Sequence, residues 1–136
     1  MSTDNSAIAF IGGGNMASAL IGGLLAQGMA PTQIEVVEPS EAARSSLLAQ
    51  FGVTAQALPG PGLRAADLVV WAVKPQVFRE AALQARPLTS AALHLSVAAG
   101  IRSSSIAQWL GTERVVRAMP NTPALVGEGA AAIAGG

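Results

Sequence analysis

Three consecutive glycines, Gly12, Gly13 and Gly14, divide an apolar run at 7–11 from a segment at 15–27 in which Met16, Leu20 and Leu24, with Ile21 and Leu25, recur at helical spacing. That order predicts a strand, a tight turn and a helix, and it narrows the possible folds more than any other feature of the chain. Each small residue of Gly12-x-Gly14-x-x-Ala17 has a mechanical reason. Gly12 permits the turn, Gly14 lets a ligand approach the backbone, and Ala17 lets the helix pack close to the strand. The free amides of the first helical turn, with the helix dipole, then face an anion such as a pyrophosphate. A glycine cluster by itself marks only a turn. Flanked by strand and helix, it predicts dinucleotide binding, with Gly12, Gly13, Gly14, Asn15, Met16 and Ala17 as the phosphate loop.

Gly28 stops the helix, Pro31 lies in the next loop, and 34–38 (I-E-V-V-E) is predicted as a second strand. It ends in Glu38, about twenty residues beyond the loop, where a carboxylate would accept hydrogen bonds from the adenosine ribose and repel a 2′-phosphate, favouring NAD. Ser40 and Arg44 lie just beyond and could hold a 2′-phosphate if Glu38 turns away; Arg44 otherwise reads as a solvated charge on a helix face. NADP or NAD therefore both stand as the cofactor.

Ser40 as N-cap and Glu41 in the first turn open a second helix that runs to about Gln50 and ends at Phe51-Gly52. A weak strand at 53–57, a Pro/Gly loop at 58–62 and one helical turn at 63–66 follow. The continuous apolar run 67–73 predicts a central parallel strand covered by helices on both faces. A helix at 76–85, a strand at 93–97, a short helix at 103–110 capped by Ser103 or Ser104, and a strand at 115–119 complete the alternation. The expected fold class is α/β, a doubly wound, mostly parallel Rossmann sheet, in one domain spanning 1–136. After a loop, 129–133 reads as a further apolar strand, and the chain looks cut at Gly136.

Composition removes several function classes. Formal net charge is zero and no stretch is rich in Lys or Arg, so no nucleic acid partner is expected. There is no cysteine and His94 is the sole histidine, so no metal site is expected. The amino terminus lacks a basic n-region, and the uncharged segment 5–34 is too often interrupted for a membrane span, so no membrane partner and a cytoplasmic location are expected. Charged residues make up 12% and apolar residues 51%, against about 25% charged in an average soluble protein, which leaves little polar material for the surface. A second domain or subunit would cover the excess.

Val73, Lys74 and Pro75 sit at the carboxyl end of the predicted central strand, where ligands bind in open α/β sheets. Lys74 reads either as a cofactor neighbour or as a solvated loop charge. Ala98 and Ala99, after the strand at 93–97, leave room for a flat ring. Pro120, Asn121 and Thr122 read either as a rigid turn or as part of the same edge. His94 reads as a packed or edge histidine, Asp67 as a cap or turn residue, and Trp71 and Trp109 as core or interface residues. No hydrolytic constellation is visible.

Four blocks, taken together, are more specific: Phe10-Ile11-Gly12-Gly13-Gly14-Asn15-Met16-Ala17, Ala72-Val73-Lys74-Pro75-Gln76, Ser96-Val97-Ala98-Ala99-Gly100-Ile101 and Arg117-Ala118-Met119-Pro120-Asn121-Thr122-Pro123. In identity, order and spacing they resemble pyrroline-5-carboxylate reductase, the last enzyme of proline biosynthesis, over essentially the whole chain. The resemblance implies reduction of the small-molecule substrate Δ1-pyrroline-5-carboxylate to L-proline by hydride transfer from NADPH or NADH. It also implies a helical carboxy-terminal domain, absent from this chain, that completes the substrate pocket and builds a homo-oligomer. Carried over residue by residue, the 12–17 loop would hold the pyrophosphate, and Val73, Lys74 and Pro75 would line the cofactor crevice. Ala98, Ala99, Pro120, Asn121 and Thr122 would surround the nicotinamide. No catalytic proton-transfer residue can be named within the chain. Two other readings stand beside this one: a dinucleotide-binding piece without catalysis, and a related β-hydroxyacid dehydrogenase or F420-dependent reductase, against which the Met119 to Pro123 block counts.

Overall fold

A computed structural model describes residues 7–98 and 100–117. The elements alternate as β1 (Ile8–Ile11), α1 (Asn15–Ala26), β2 (Ile34–Val37), α2 (Glu41–Phe51), β3 (Ala55–Gln56), β4 (Leu68–Trp71), α3 (Pro75–Ala85), β5 (Leu93–Ser96), α4 (Ser103–Leu110) and β6 (Val115–Arg117). The six strands form one parallel sheet in the order β3-β2-β1-β4-β5-β6. Chain order therefore reverses between β1 and β4, the switch point outside which an open α/β sheet has its crevice.

The continuous apolar character of β1 and β4 follows from burial on both faces: Ile8 to Ile11 and Leu68 to Trp71 are all buried. Alternate residues enter two separate cores. Ile8, Phe10, Val36, Leu68 and Val70 pack with Ala17, Leu20, Ile21 and Leu24 of α1 and Leu47 of α2. Ala9, Ile11, Val37, Val69 and Trp71 pack with Phe78, Ala82 and Ala85 of α3 and Ile106 and Leu110 of α4. At about 25 cal/mol per Å² of apolar surface, these two layers supply the main driving force for folding. The result is the doubly wound Rossmann architecture that the alternation predicts.

Local signals are realised where the chemistry is unambiguous. The Ser40 hydroxyl accepts a hydrogen bond from the Ala43 amide at 3.3 Å, and α2 ends on Gly52 with φ +71°. The Asp67 carboxylate accepts the Ala7 amide at 3.2 Å while its own amide donates to the Ala7 carbonyl, stapling the start of β1 to β4. The predicted cap of α4 is displaced. Arg102 is the N-cap, its extended backbone presenting a carbonyl to the amides of Ser105 and Ile106, so Ser103 and Ser104 lie inside the first turn and neither hydroxyl caps. The strand predicted at 53–57 shortens to Ala55–Gln56, and Glu38 lies just past β2. The predicted strand at 129–133 and the last two residues of the one at 115–119 fall outside the described residues. Among the described residues no helix is long and apolar enough to cross a membrane.

Candidate functional site

The three glycines have three different surroundings. Gly12 crosses between β2 and β4: its amide donates to the Val37 carbonyl at 2.8 Å and its φ is +104°. A Cβ there would strike the Ala72 carbonyl oxygen and lie 3.2 Å from Val73 Cγ1. Gly13 is buried, its amide donates to Glu38 Oε1 at 2.8 Å, and a Cβ would lie 2.9 Å from Leu47 Cδ1 and 3.1 Å from Glu38 Cβ. Gly14 is exposed, and a Cβ there would meet nothing within 4 Å. Packing therefore explains the first two glycines, whereas the space over the third is open.

Gly14 is also the N-cap of α1, and no side chain caps that helix. The amides of Asn15, Met16 and Ala17 have no acceptor within the helix, as for any helix start. No acidic side chain occupies the first turn. Asn15 and Met16 are exposed and Ala17 is fully buried against the sheet. The amides of Gly12 and Gly13 are already bonded, so the donors open to an anion come from the helix start.

A cleft of about 500 Å³ opens at the switch point. One wall is the glycine loop and the end of β2, through Gly12, Gly14, Val37, Glu38 and Pro39; the facing wall is Ala72, Val73 and Lys74 with Val77, Glu80, Ala81 and Gln84 of α3. Ala57, Leu58 and Pro59 close one end. Sequence reasoning missed this third segment and the α3 face. Their only trace is a few apolar side chains left in water, Leu58 at 68% exposure and Val77 at 47%, which alternation and helical spacing do not single out. The combination of apolar walls, helix-start amides and a carboxylate suits a ligand with a flat ring, hydroxyls and a phosphate.

Glu38 is fixed more firmly than the sequence suggests. Its Oε2 accepts the Ser40 amide at 2.8 Å, as Oε1 accepts that of Gly13, and its own amide donates to the Gln56 carbonyl. Arg44, expected to be a solvated charge, is half-buried instead, its Nη1 donating to the carbonyls of Glu38 at 2.9 Å and Pro39 at 2.7 Å. The carbonyls at the β2 to α2 turn lack sheet partners and take the guanidinium. Lys74 is exposed on the cleft rim, and Pro75 begins α3 without lining the cleft. Ala98 lies outside the cleft, its amide donating to the buried Ser96 hydroxyl at 3.3 Å. Ala99, Pro120, Asn121 and Thr122 lie outside the described residues.

Behind the cleft, His94 is fully buried between strands. Its Nδ1 accepts the Trp71 indole N–H at 2.9 Å, so the neutral ring carries its proton on Nε2, which has no hydrogen-bond partner among the described residues. The pKa is pushed down to about 4, chiefly by burial; the Thr89 backbone raises it and the Arg114 charge lowers it. Trp71 in turn stacks on Phe78 at 4.9 Å, and Phe78 lies 6.0 Å from the half-buried Trp109. These residues are packing, as the sequence reading expects.

The chain is similar to curated pyrroline-5-carboxylate reductases. It is 43% identical to that of Pseudomonas aeruginosa over 128 residues, which is 93% of this chain and 47% of the relative. To the Pisum sativum enzyme it is 37% identical over 129 residues, 94% of this chain and 47% of the relative. The chain thus spans about half the length of the curated relatives it matches. Among solved structures, a pyrroline-5-carboxylate reductase from Coxiella burnetii superposes with a TM-score of 0.80 at 38% identity, covering 90% of this chain and 46% of that one. The Plasmodium falciparum pyrroline carboxylate reductase, solved with NADP bound, gives 0.73 at 27% identity, covering 93% and 46%. Residues 7–100, which contain the glycine loop, the Glu38 turn and the Lys74 wall, match the family described as NADP oxidoreductase, coenzyme F420-dependent, and the chain belongs to that family.

Proposed function

We propose that the chain is the dinucleotide-binding part of a pyrroline-5-carboxylate reductase, which reduces the cyclic imine to L-proline with a hydride from NAD(P)H. The observation that carries this is the unfilled space over Gly14, beside uncapped helix amides and at the mouth of the cleft. In this reading Asn15 and Met16 present amides to the pyrophosphate, and the cleft between Glu38, Leu58 and Val77 takes the adenosine. Val73 and Lys74 follow the dinucleotide toward the ends of β4 and β5. Ala98 and Ala99, with Pro120, Asn121 and Thr122, lie against the nicotinamide. When bound, the dinucleotide supplies the hydride, and the protein's part is to orient it against an imine that, once protonated, is already electrophilic. Substrate residues and homo-oligomer contacts belong to a helical carboxy-terminal domain, and the enzyme works in the cytoplasm.

The four sequence blocks and the curated matches favour this reading over a β-hydroxyacid dehydrogenase or an F420-dependent reductase, which the family match alone does not separate from it. The curated matches span over nine-tenths of the chain, well beyond residue 100, where the family match stops. Two measurements, made on the chain joined to a helical carboxy-terminal domain, test it together: titration of NADH and NADPH, and steady-state reduction of pyrroline-5-carboxylate. Saturable binding with turnover supports the reductase. Binding without turnover supports a module that only holds the dinucleotide, and absence of binding removes both.

The Glu38 carboxylate lies at the adenosine end of the cleft, so NADH is expected to bind better than NADPH, with Arg44 moderating the difference. Glu38→Ser should shift the NADPH to NADH affinity ratio toward NADPH by about tenfold, equivalent to about 1.4 kcal/mol. Fluorescence titration reads this directly, and an unchanged ratio removes Glu38 from cofactor discrimination.

A further inference from the structure

We propose that Glu38 is a positioning residue for the phosphate loop, acting through Gly13 whether or not a ribose is present. This rests on the dinucleotide reading and goes beyond the carboxylate's expected contact with the ribose. The carboxylate bridges two backbone amides, Gly13 at 2.8 Å and Ser40 at 2.8 Å. Bonds of an amide to an ionised oxygen are about twice as strong as neutral ones. Glu38 is itself held at its amide by Gln56 and at its carbonyl by Arg44. It is therefore a rigid block joining β3, α2 and the glycine loop.

The loop needs such a block. A Cβ at Gly14 would meet nothing within 4 Å and no side chain caps α1, so the loop's tip is held only through its backbone, the Gly14 carbonyl accepting the Ser18 amide at 2.9 Å. Its support comes from below: Gly12 through Val37, and Gly13 through Glu38 and Leu47. The missing side chain at Gly13 lets the Glu38 methylenes and Leu47 close against the backbone, which brings the carboxylate within reach of the amide. The Asn15 and Met16 amides are thus aimed before any ligand arrives. Each carboxylate oxygen has a second lone pair for a ribose hydroxyl, so the two roles are compatible, yet they make different predictions.

Amide hydrogen exchange at Gly13 and Ser40 in the ligand-free protein tests the tether, and inorganic pyrophosphate, which has no ribose, tests the positioning. Glu38→Gln keeps the shape but offers one acceptor oxygen. Exchange at one of the two amides should rise about tenfold, and pyrophosphate affinity should fall by about threefold to tenfold. Glu38→Asp, charged but one methylene shorter, should also weaken pyrophosphate binding, and serves if the glutamine variant does not fold. Unchanged exchange at both amides overturns the proposal. So does unchanged pyrophosphate affinity with weakened ADP-ribose binding, which would place the whole effect at the ribose. A parent protein that binds NADH while the variants keep their pyrophosphate affinity leaves the dinucleotide reading standing; a parent that binds no NADH overturns that reading instead.

Discussion

Gly14→Ala is expected to leave the fold intact and weaken dinucleotide binding by about 100-fold, near 3 kcal/mol, whereas Gly12→Ala should unfold much of the protein before binding can be measured. The two substitutions add the same methyl group two residues apart. At Gly14 the backbone has φ −80°, open to any residue, and the methyl meets no protein atom within 4 Å. Stability should change by no more than about 0.5 kcal/mol. The methyl instead occupies the space through which a pyrophosphate would reach the Asn15 and Met16 amides. At Gly12 the φ of +104° costs an alanine about 1–2 kcal/mol, and the methyl would also strike the Ala72 carbonyl. That carbonyl cannot retreat easily, because the Ala72 amide is bonded to Ile11 at 2.9 Å. A total loss above about 3 kcal/mol is expected. Thermal melting with NADH titration on both variants checks the pair. Equal loss of stability at the two positions would contradict the assignment of Gly14 to the ligand.

Acid is expected to destabilise the protein through His94, by up to about 3 kcal/mol between pH 7 and pH 4. In the unfolded chain the ring titrates near its model value of 6.5, and in the folded protein near 4. Between those values the unfolded chain binds a proton that the native state refuses, so stability rises with pH through this window and is full above it. Burial is the larger cause, and a proton added at Nδ1 would also face the Trp71 N–H donor. His94→Gln offers a carbonyl to the indole and has nothing to titrate. Denaturant unfolding from pH 4 to pH 7 should show a shallower dependence in the variant, the carboxylates being common to both proteins. Parallel curves would show that His94 titrates normally.

The layered fold was legible because burial on both faces leaves a plain mark: β1 and β4 are uninterrupted apolar runs, and α2 announces both ends with Ser40 and Gly52. Of the candidate site, the sequence located Glu38 but not the direction of its carboxylate. The bond to Gly13 joins residues twenty-five positions apart and follows no period. Of the two readings of Arg44, the solvated charge fails for the same reason, since two main-chain carbonyls leave no trace in side-chain pattern. The Leu58 segment was read only as a loop, although its place beside the cleft comes from the pairing of β3 with β2. The α4 cap lies one or two residues earlier than expected because a run of serines offers several equivalent starts, and backbone geometry places it on Arg102 before them.

The staple between Ala7 and Asp67 joins residues sixty positions apart, and β1 takes β4 as a neighbour along its full length. During synthesis the first strand therefore emerges long before the partner that covers its second edge exists. Until Trp71 has left the ribosome, Ile8 to Ile11 can pair only with β2, and the apolar edge facing β4 stays open to other chains. Such long-range parallel pairing is slow to form and exposes nascent chains to aggregation. The same strand that organises the finished sheet is thus open along one edge until residue 71 has been made.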